Sequence, residues 1–457
     1  MTSDDAQISM RLRLFHEAKA PLANGHRRET LLHMSDQEME TNHAYIQWAF
    51  PTPHRSKSLS SAPILDLNSA IWLANNADFV RFLEDMTARF LSFLQKSEAW
   101  RQGFNHNQLR ISRIVESLRI LHSYELAHWF YETVLGFISS SDPHIEKAKS
   151  IWSQKIDPKY DRIAGCFVGL AIGDALGAPV EFCRRGTFEP VTEYRAGGKF
   201  NLPAGAWTDD TAMALCLAQS LIENNDFDAE NLLNKFSAWL EVASNTSTGV
   251  CVGVGQNTLR TLGDFRRLGR LEALPFGARN DGNGSLMRLA AVPCKYVNDV
   301  KSARSVSAQQ SKTTHASRIA SETCVYLSEL LVKLLNGHEY QSVKQSLMEQ
   351  EWSYALSSVI EQNYAGYNEA GVRSGGYVLD TLQASLWSVE NSDTFKTAAI
   401  KAVNLGDDAD TTGAVTGQLA GAIYGYSNID HKLKSHLIDE RKLYVTSQFL
   451  TLNVERR

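Results

Sequence analysis

Missing from this 457-residue chain are paired cysteines, a basic excess and any long apolar run. The six cysteines, Cys166, Cys183, Cys216, Cys251, Cys294 and Cys324, stand singly. None has the CxxC spacing that sets two thiolates on one metal, so they read as reduced thiols. Lysine and arginine number 46 against 51 aspartates and glutamates, a formal net charge of -5. That balance lacks the positive surplus needed to grip a phosphate backbone, and no nucleic-acid partner is expected. The start of the chain has no apolar core of signal-peptide length, and no stretch approaches the roughly 20 apolar residues that span a bilayer. No membrane association is expected, and the expected compartment is cytoplasmic. A sustained alternation of β-branched residues is absent too, which argues against a sheet.

What is present is helical periodicity. The 43% hydrophobic content suffices for a real core, and the length exceeds that at which one core usually stops growing, so two domains are expected. Residues 1–30 mix charges, Ala-Pro and Asn-Gly without periodicity and read as a flexible arm. After the polar loop His54–Ser61, Ile71, Trp72, Phe79, Phe82, Leu83, Met86, Phe90, Phe93 and Leu94 recur at three- and four-residue steps, predicting one long amphipathic helix. Further runs follow from Leu109 to Leu126 and from Trp129 to Ile138, completing a small helical domain over 31–143. Ser139–Pro143 breaks the pattern and marks the boundary. From 155 to 457 periodic segments again alternate with Gly-, Asn- and Asp-rich loops. The fold class expected for both parts is all-α.

Gly165, Gly169, Gly173 and Gly177 fall at a strict four-residue step, along one ridge of a predicted helix. Each costs that helix about 1 kcal/mol relative to alanine, so an offsetting gain is required. Close helix–helix packing accounts for most of them; approach of backbone to a ligand would concern Gly173 and Gly177, beside Asp174 and Glu181.

Two acidic clusters lie in apolar, Gly-rich surroundings: Trp207-Thr208-Asp209-Asp210-Thr211 and Gly406-Asp407-Asp408-Ala409-Asp410-Thr411-Thr412. Each directly precedes an apolar helical run. One Asp or Thr per helix would serve as an N-cap. Five aspartates exceed that need, and converging carboxylates repel one another unless cations intervene. Carboxylate and hydroxyl oxygens suit Mg²⁺, Mn²⁺ or Ca²⁺ and not Zn²⁺.

These clusters, together with Arg162-Ile163-Ala164-Gly165-Cys166-Phe167-Val168-Gly169 and with Gly173-Asp174-Ala175-Leu176-Gly177, Pro179 and Glu181, resemble the ADP-ribosylglycohydrolase (DraG-like) family in four motifs of the right order. The resemblance implies an all-α fold with two Mg²⁺ ions, Mn²⁺ being the alternative, in a central cleft. It implies Thr208, Asp209, Asp210, Asp408, Asp410 and Thr411 as metal ligands; Asp407 sits where relatives vary. Glu181 matches a glutamate that lies over the site in some members. Asn280–Arg288 resembles a phosphate-contacting segment, with Asn283, Gly284, Ser285 and Met287 as candidate substrate contacts, and Gly-rich backbone of this kind can curl into a nest of N–H donors. His315 and Tyr377 fall where relatives line the ribose and adenine pocket. The implied reaction is hydrolysis of an ADP-ribosyl bond on a modified protein, arginine being the first linkage to test. Asp209 or Asp410 would activate water and Glu181 would serve as gate or acid.

Asn42–Pro51, Ala62-Pro63-Ile64, Asn105-His106-Asn107 and Leu109–Ile114 resemble the N-terminal region of opioid growth factor receptor proteins over about residues 35–140. That module implies no chemistry, and Trp48 and Phe50 read as buried anchors. Some bacterial members of the glycohydrolase family are immunity proteins against ADP-ribosyltransferase toxins, which adds a toxin as a candidate partner. Two alternatives to a hydrolase follow: an inhibitor that occludes a transferase through residues 1–140, and a pseudoenzyme that binds ADP-ribose without cleaving it.

Overall fold

The computed structural model describes residues 3–22, 25–56, 62–139, 143–275 and 280–452. Among them every regular element is a helix, and the bridges Gly197–Leu202 and Gly282–Tyr377 are isolated pairs. The all-α expectation holds. The chain divides into two units, Met1–Tyr160 and Asp161–Arg457. The Pro143–Lys155 helix belongs to the first unit, so the division falls later than the Ser139–Pro143 break, of which residues 140–142 lie outside the described residues. The His54–Ser61 loop lies outside them from residue 57 onward.

In the first unit the expected arm is corrected. Residues Ser3–His16 form a helix, and Leu12, Phe15 and His16 are buried. His16 Nε2 lies 3.0 Å from the Trp48 carbonyl, and its ring meets Phe79 edge-on at 4.7 Å. Two inward apolar residues one turn apart hold the segment, although the charges between them hide the pattern. The predicted long helix is likewise two, Leu67–Ala74 and Ala77–Lys96. Asn76 ends the run by turning its side chain into an N-cap, Oδ1 accepting from Phe79 N–H at 3.0 Å. The second helix then buries Phe79, Phe82, Leu83, Met86 and Phe90 along one face. Trp48 and Phe50 are buried. Arg110 fastens the turn before them, donating to the carbonyls of Met39 at 2.7 Å and Asn42 at 3.1 Å.

The second unit's helices begin where cap residues allow. Asp228, Ser317 and Thr394 each accept from a backbone N–H three residues on. The Lys159–Gly177 helix is buried along almost its whole length. By length and composition the stretch Pro143–Val180 could cross a membrane, which corrects the expectation that no such segment exists; 94% of its apolar window is buried inside the protein, as in a core helix.

The glycine ridge explains that helix's packing. A Cβ on Gly165, Gly169, Gly173 or Gly177 would overlap the carbonyls of Gly421, Gly417, Gly413 and Ala409 respectively. A Cβ on Gly413, Gly417 or Gly421 would collide in turn with Gly173, Gly169 and Gly165. The Lys159–Gly177 and Ala409–Tyr424 helices therefore touch backbone to backbone, running in opposite directions. The C-terminal end of one, with Asp174, is thereby set against the N-terminal end of the other, with Asp410.

Candidate active site

The two acidic clusters start helices but do not cap them. Thr208 and Asp408 occupy the N-cap positions of Asp209–Asn224 and Ala409–Tyr424, and neither side chain accepts a capping hydrogen bond. Their oxygens turn toward each other instead. The Thr411 hydroxyl lies 3.5 Å from Asp210 Oδ2 across a sequence separation of 201 residues, and the Thr208 hydroxyl lies 3.4 Å from the same oxygen. One carboxylate oxygen each from Glu181, Asp408 and Asp410 come within 4.8 Å of one another. Gly253, at φ +80°, sits so close to Asp209 that a side chain there would overlap Oδ1.

Glu181 follows a short 3-10 turn, Ala178–Val180, in which Pro179 fixes the backbone. The next residue, Phe182, takes φ +64° and donates its N–H to the Asp407 carbonyl at 2.6 Å; Asp407, at φ +55°, donates back to the Cys183 carbonyl at 2.7 Å. Two non-glycine residues held in the left-handed region thus lock the Glu181 and Asp408 loops together.

Electrostatically the cluster is crowded. Burial, reinforced by the charges of Asp174 and Asp408, pushes Asp209 up to about 8. Burial, then the charges of Asp209 and Asp408, raises Glu181 to about 8, against a small opposing pull from Lys199. Burial and neighbouring carboxylates likewise hold Asp210 and Asp410 well above the usual range. Among the described residues no lysine or arginine forms an ion pair with any of them. Glu181 Oε2 and Asp210 Oδ1 are buried with no hydrogen-bond partner among the described residues. Buried, unpaired, oxygen-only donors fit hard divalent cations, whose charge relieves the repulsion.

Asp174 was named in the sequence as a neighbour of two glycines and a member of one motif, with no role of its own, yet it organises the site. It accepts from Thr208 N–H at 2.9 Å and Thr208 Oγ1 at 2.9 Å, and from Thr211 N–H at 3.0 Å and Thr211 Oγ1 at 2.6 Å. These bonds partly offset the burial that lifts its carboxyl to about 6. The available signal was a lone carboxylate inside an otherwise apolar helix, which has to be paired.

The structure divides the candidate substrate contacts. Asn283 turns its amide inward, Nδ2 donating to Asp408 Oδ2 at 2.6 Å and to Thr381 Oγ1 at 2.8 Å, so it orients a carboxylate. Ser285 is fully buried with its hydroxyl 2.8 Å from Ser311 Oγ. Gly284 lies under the His315 ring, where a Cβ would come within 2.9 Å of Cε1. Met287 Sδ stands 4.0 Å from the Thr411 hydroxyl. Tyr377 is half-exposed and faces Gly282 across an isolated bridge.

The family model described as ADP-ribosylglycohydrolase matches residues 155–455. The chain belongs to the ADP-ribosylglycohydrolase family. It is 36% identical over 289 residues to the ADP-ribosylarginine hydrolase Tri1 of Serratia proteamaculans, covering 62% of this chain and 77% of that protein. It is 32% identical over 279 residues to the ADP-ribosyl-[dinitrogen reductase] glycohydrolase of Rhodospirillum rubrum, covering 59% of this chain and 88% of that one. A solved ADP-ribosylglycohydrolase-related protein complex superposes with a TM-score of 0.57 at 35% identity, over 64% of this chain and 97% of that chain. The glycohydrolase match begins in the last residues of the first unit and includes the carboxylate-bearing segments described above.

Proposed function

We propose that this protein releases ADP-ribose from arginine side chains of a modified protein, with two Mg²⁺ ions held by Thr208, Asp209, Asp210, Asp408, Asp410 and Thr411, Mn²⁺ being the alternative. The observation that carries the reading is the convergence of two aspartate–threonine segments, 201 residues apart at Asp210 and Thr411, into one buried oxygen cluster to which no cationic side chain among the described residues is paired. When bound, such ions supply Lewis-acid polarisation and acidify a water. The chain's own residues do the rest. Asp174 fixes Thr208 and Thr211, and Asn283 fixes Asp408. In the reaction, water oxygen bonds to the anomeric carbon of the ribose, the carbon–nitrogen bond breaks, and its electron pair leaves on the guanidine nitrogen, which takes up a proton. Asp209 or Asp410 accepts the proton from water; Glu181, beside both loops, is the acid or the gate.

The test is release of free ADP-ribose from an arginine-ADP-ribosylated protein with Mg²⁺, with EDTA and with Asp410→Ala. Release that needs the metal and is lost in the variant supports the reading. Absence of release from the wild-type protein with Mg²⁺ rejects arginine as the linkage.

The family match leaves residues 1–154 outside it, which motivates an additional role: immunity to an ADP-ribosyltransferase toxin, aided by docking of the first unit on the transferase. Asp209→Ala then abolishes hydrolysis but still binds the transferase. Loss of both together rejects separate roles.

A further inference from the structure

Arg288 and His315 are both almost entirely buried, and one hydroxyl stands between them. Arg288 Nη2 donates to Thr314 Oγ1 at 2.9 Å, and the same oxygen lies 2.8 Å from His315 Nδ1. Two of the guanidinium's three nitrogens are pinned: Nε donates to Gln310 Oε1 at 2.9 Å and Nη2 also to the Gln310 carbonyl at 2.9 Å, while Nη1 has no hydrogen-bond partner among the described residues and the guanidinium lies 4.8 Å from the Phe236 ring centroid. A guanidinium only donates, so the Thr314 oxygen must accept from it. The hydroxyl proton then has to go elsewhere, and His315 Nδ1 is the acceptor within reach among the described residues. The opposite tautomer would present an N–H to that oxygen and strand the hydroxyl proton in a buried site, the costly arrangement.

We propose that Arg288, acting through Thr314, holds His315 as a neutral ring with its proton on Nε2, and that this N–H is a fixed hydrogen-bond donor for an acceptor oxygen of ADP-ribose. The ring lies against the glycine loop: Nε2 would come within 3.2 Å of a Cβ at Gly284 and within 3.3 Å of one at Gly282. A side chain at Gly284 would displace the ring, and one at Gly282 would press on it. Among the described residues no hydrogen bond engages Nε2, which leaves the donor for a ligand. Burial, and then the charge of Arg288, holds the imidazole down to about 3, in keeping with a ring that stays neutral. A donor that can neither accept nor charge discriminates by chemistry: it selects phosphate or hydroxyl oxygen and rejects a donor group placed at the same spot. Arg288 and Thr314 are positioning residues, since Thr314 touches His315 and Arg288 acts on it only through Thr314.

The inference rests on ADP-ribose being the ligand, and the experiment separates the two. In the full chain labelled with ¹⁵N-histidine, long-range ¹H–¹⁵N correlation without ligand reports which ring nitrogen carries the proton, the His315 signals being those lost in His315→Gln. The expected spectrum shows Nε2 protonated and Nδ1 bare in the wild type and in Thr314→Ser, and a mixture of tautomers in Thr314→Val. Calorimetry with ADP-ribose is expected to show binding weakened about tenfold by Thr314→Val and restored to within about twofold by Thr314→Ser. A wild-type His315 protonated on Nδ1, or a Thr314→Val protein with unchanged tautomer and affinity, overturns the proposal. A wild-type protein that does not bind ADP-ribose at all removes the ligand reading, while the ligand-free spectrum still decides the tautomer.

Discussion

The carboxylate of Asp174 meets Thr208 three times: its two oxygens share the Thr208 backbone N–H at 2.9 and 3.1 Å, and Oδ1 also accepts from the Thr208 hydroxyl at 2.9 Å. Replacing Asp174 with asparagine keeps the shape but turns one acceptor into a donor facing donors. Asp174→Asn is expected to cost about 2 kcal/mol of stability by urea denaturation and to lower hydrolysis at least about tenfold, because the Thr208 oxygen loses its anchor. Unchanged stability and rate would show that the hub is dispensable.

Asn283 divides the site differently from what its loop suggests. If its role is to orient Asp408, Asn283→Ala lowers kcat about tenfold and leaves KM within about twofold. A raised KM with kcat intact would instead return Asn283 to direct contact with the substrate. Steady-state kinetics on the arginine-linked substrate separates the two.

At Gly173 an added methyl would overlap the Gly413 carbonyl. Backbone cannot swing aside as a side chain does, so Gly173→Ala should cost roughly 3 kcal/mol, read as a lowered thermal midpoint by circular dichroism. Gly263, with open space where its Cβ would go, is the control: Gly263→Ala should be neutral or stabilising, since alanine is the better helix former.

The first unit carries an acid-sensitive contact. Glu116 is buried, which alone would raise its carboxyl, but the hydrogen bond from His54 and the charge of Lys155 prevail and hold it at about 2 against an ordinary 4.5. His54 Nε2 lies at 3.0 Å and Lys155 Nζ at 2.8 Å. A folded-state value below the unfolded one means stability that is complete above about pH 4.5 and is lost as pH falls toward 2, in all about 3 kcal/mol. Urea midpoints taken at pH 5 and pH 3 should therefore diverge less in Glu116→Gln than in the wild type.

Much of this was legible before any coordinates. The all-α character of both units was legible because apolar residues recur at three- and four-residue steps and no β-branched alternation competes with them. The aspartate clusters were legible because five acids in apolar surroundings cannot be explained as caps. The Ser3–His16 helix was not, since its short inward face hides among charges. Asn76 was read through, because apolar spacing on either side stays in phase across the cap. The roles of Asp174, Asn283, Ser285 and Arg288 were illegible for a common reason: each is set by a tertiary hydrogen bond, and spacing along the chain does not encode which way a polar side chain turns.

The glycine seam between Lys159–Gly177 and Ala409–Tyr424 also sets when activity can arise during synthesis. The first unit and half of the carboxylates leave the ribosome early, but Asp408 and Asp410 come late, and they are brought to Asp174 only when the helix behind them has emerged and closed along its glycines. A chain released before Asp408 carries Asp209 and Asp210 with nothing opposite them, and one released before Tyr424 lacks the end of the helix that closes the seam. Hydrolysis therefore requires translation through the Ala409–Tyr424 helix.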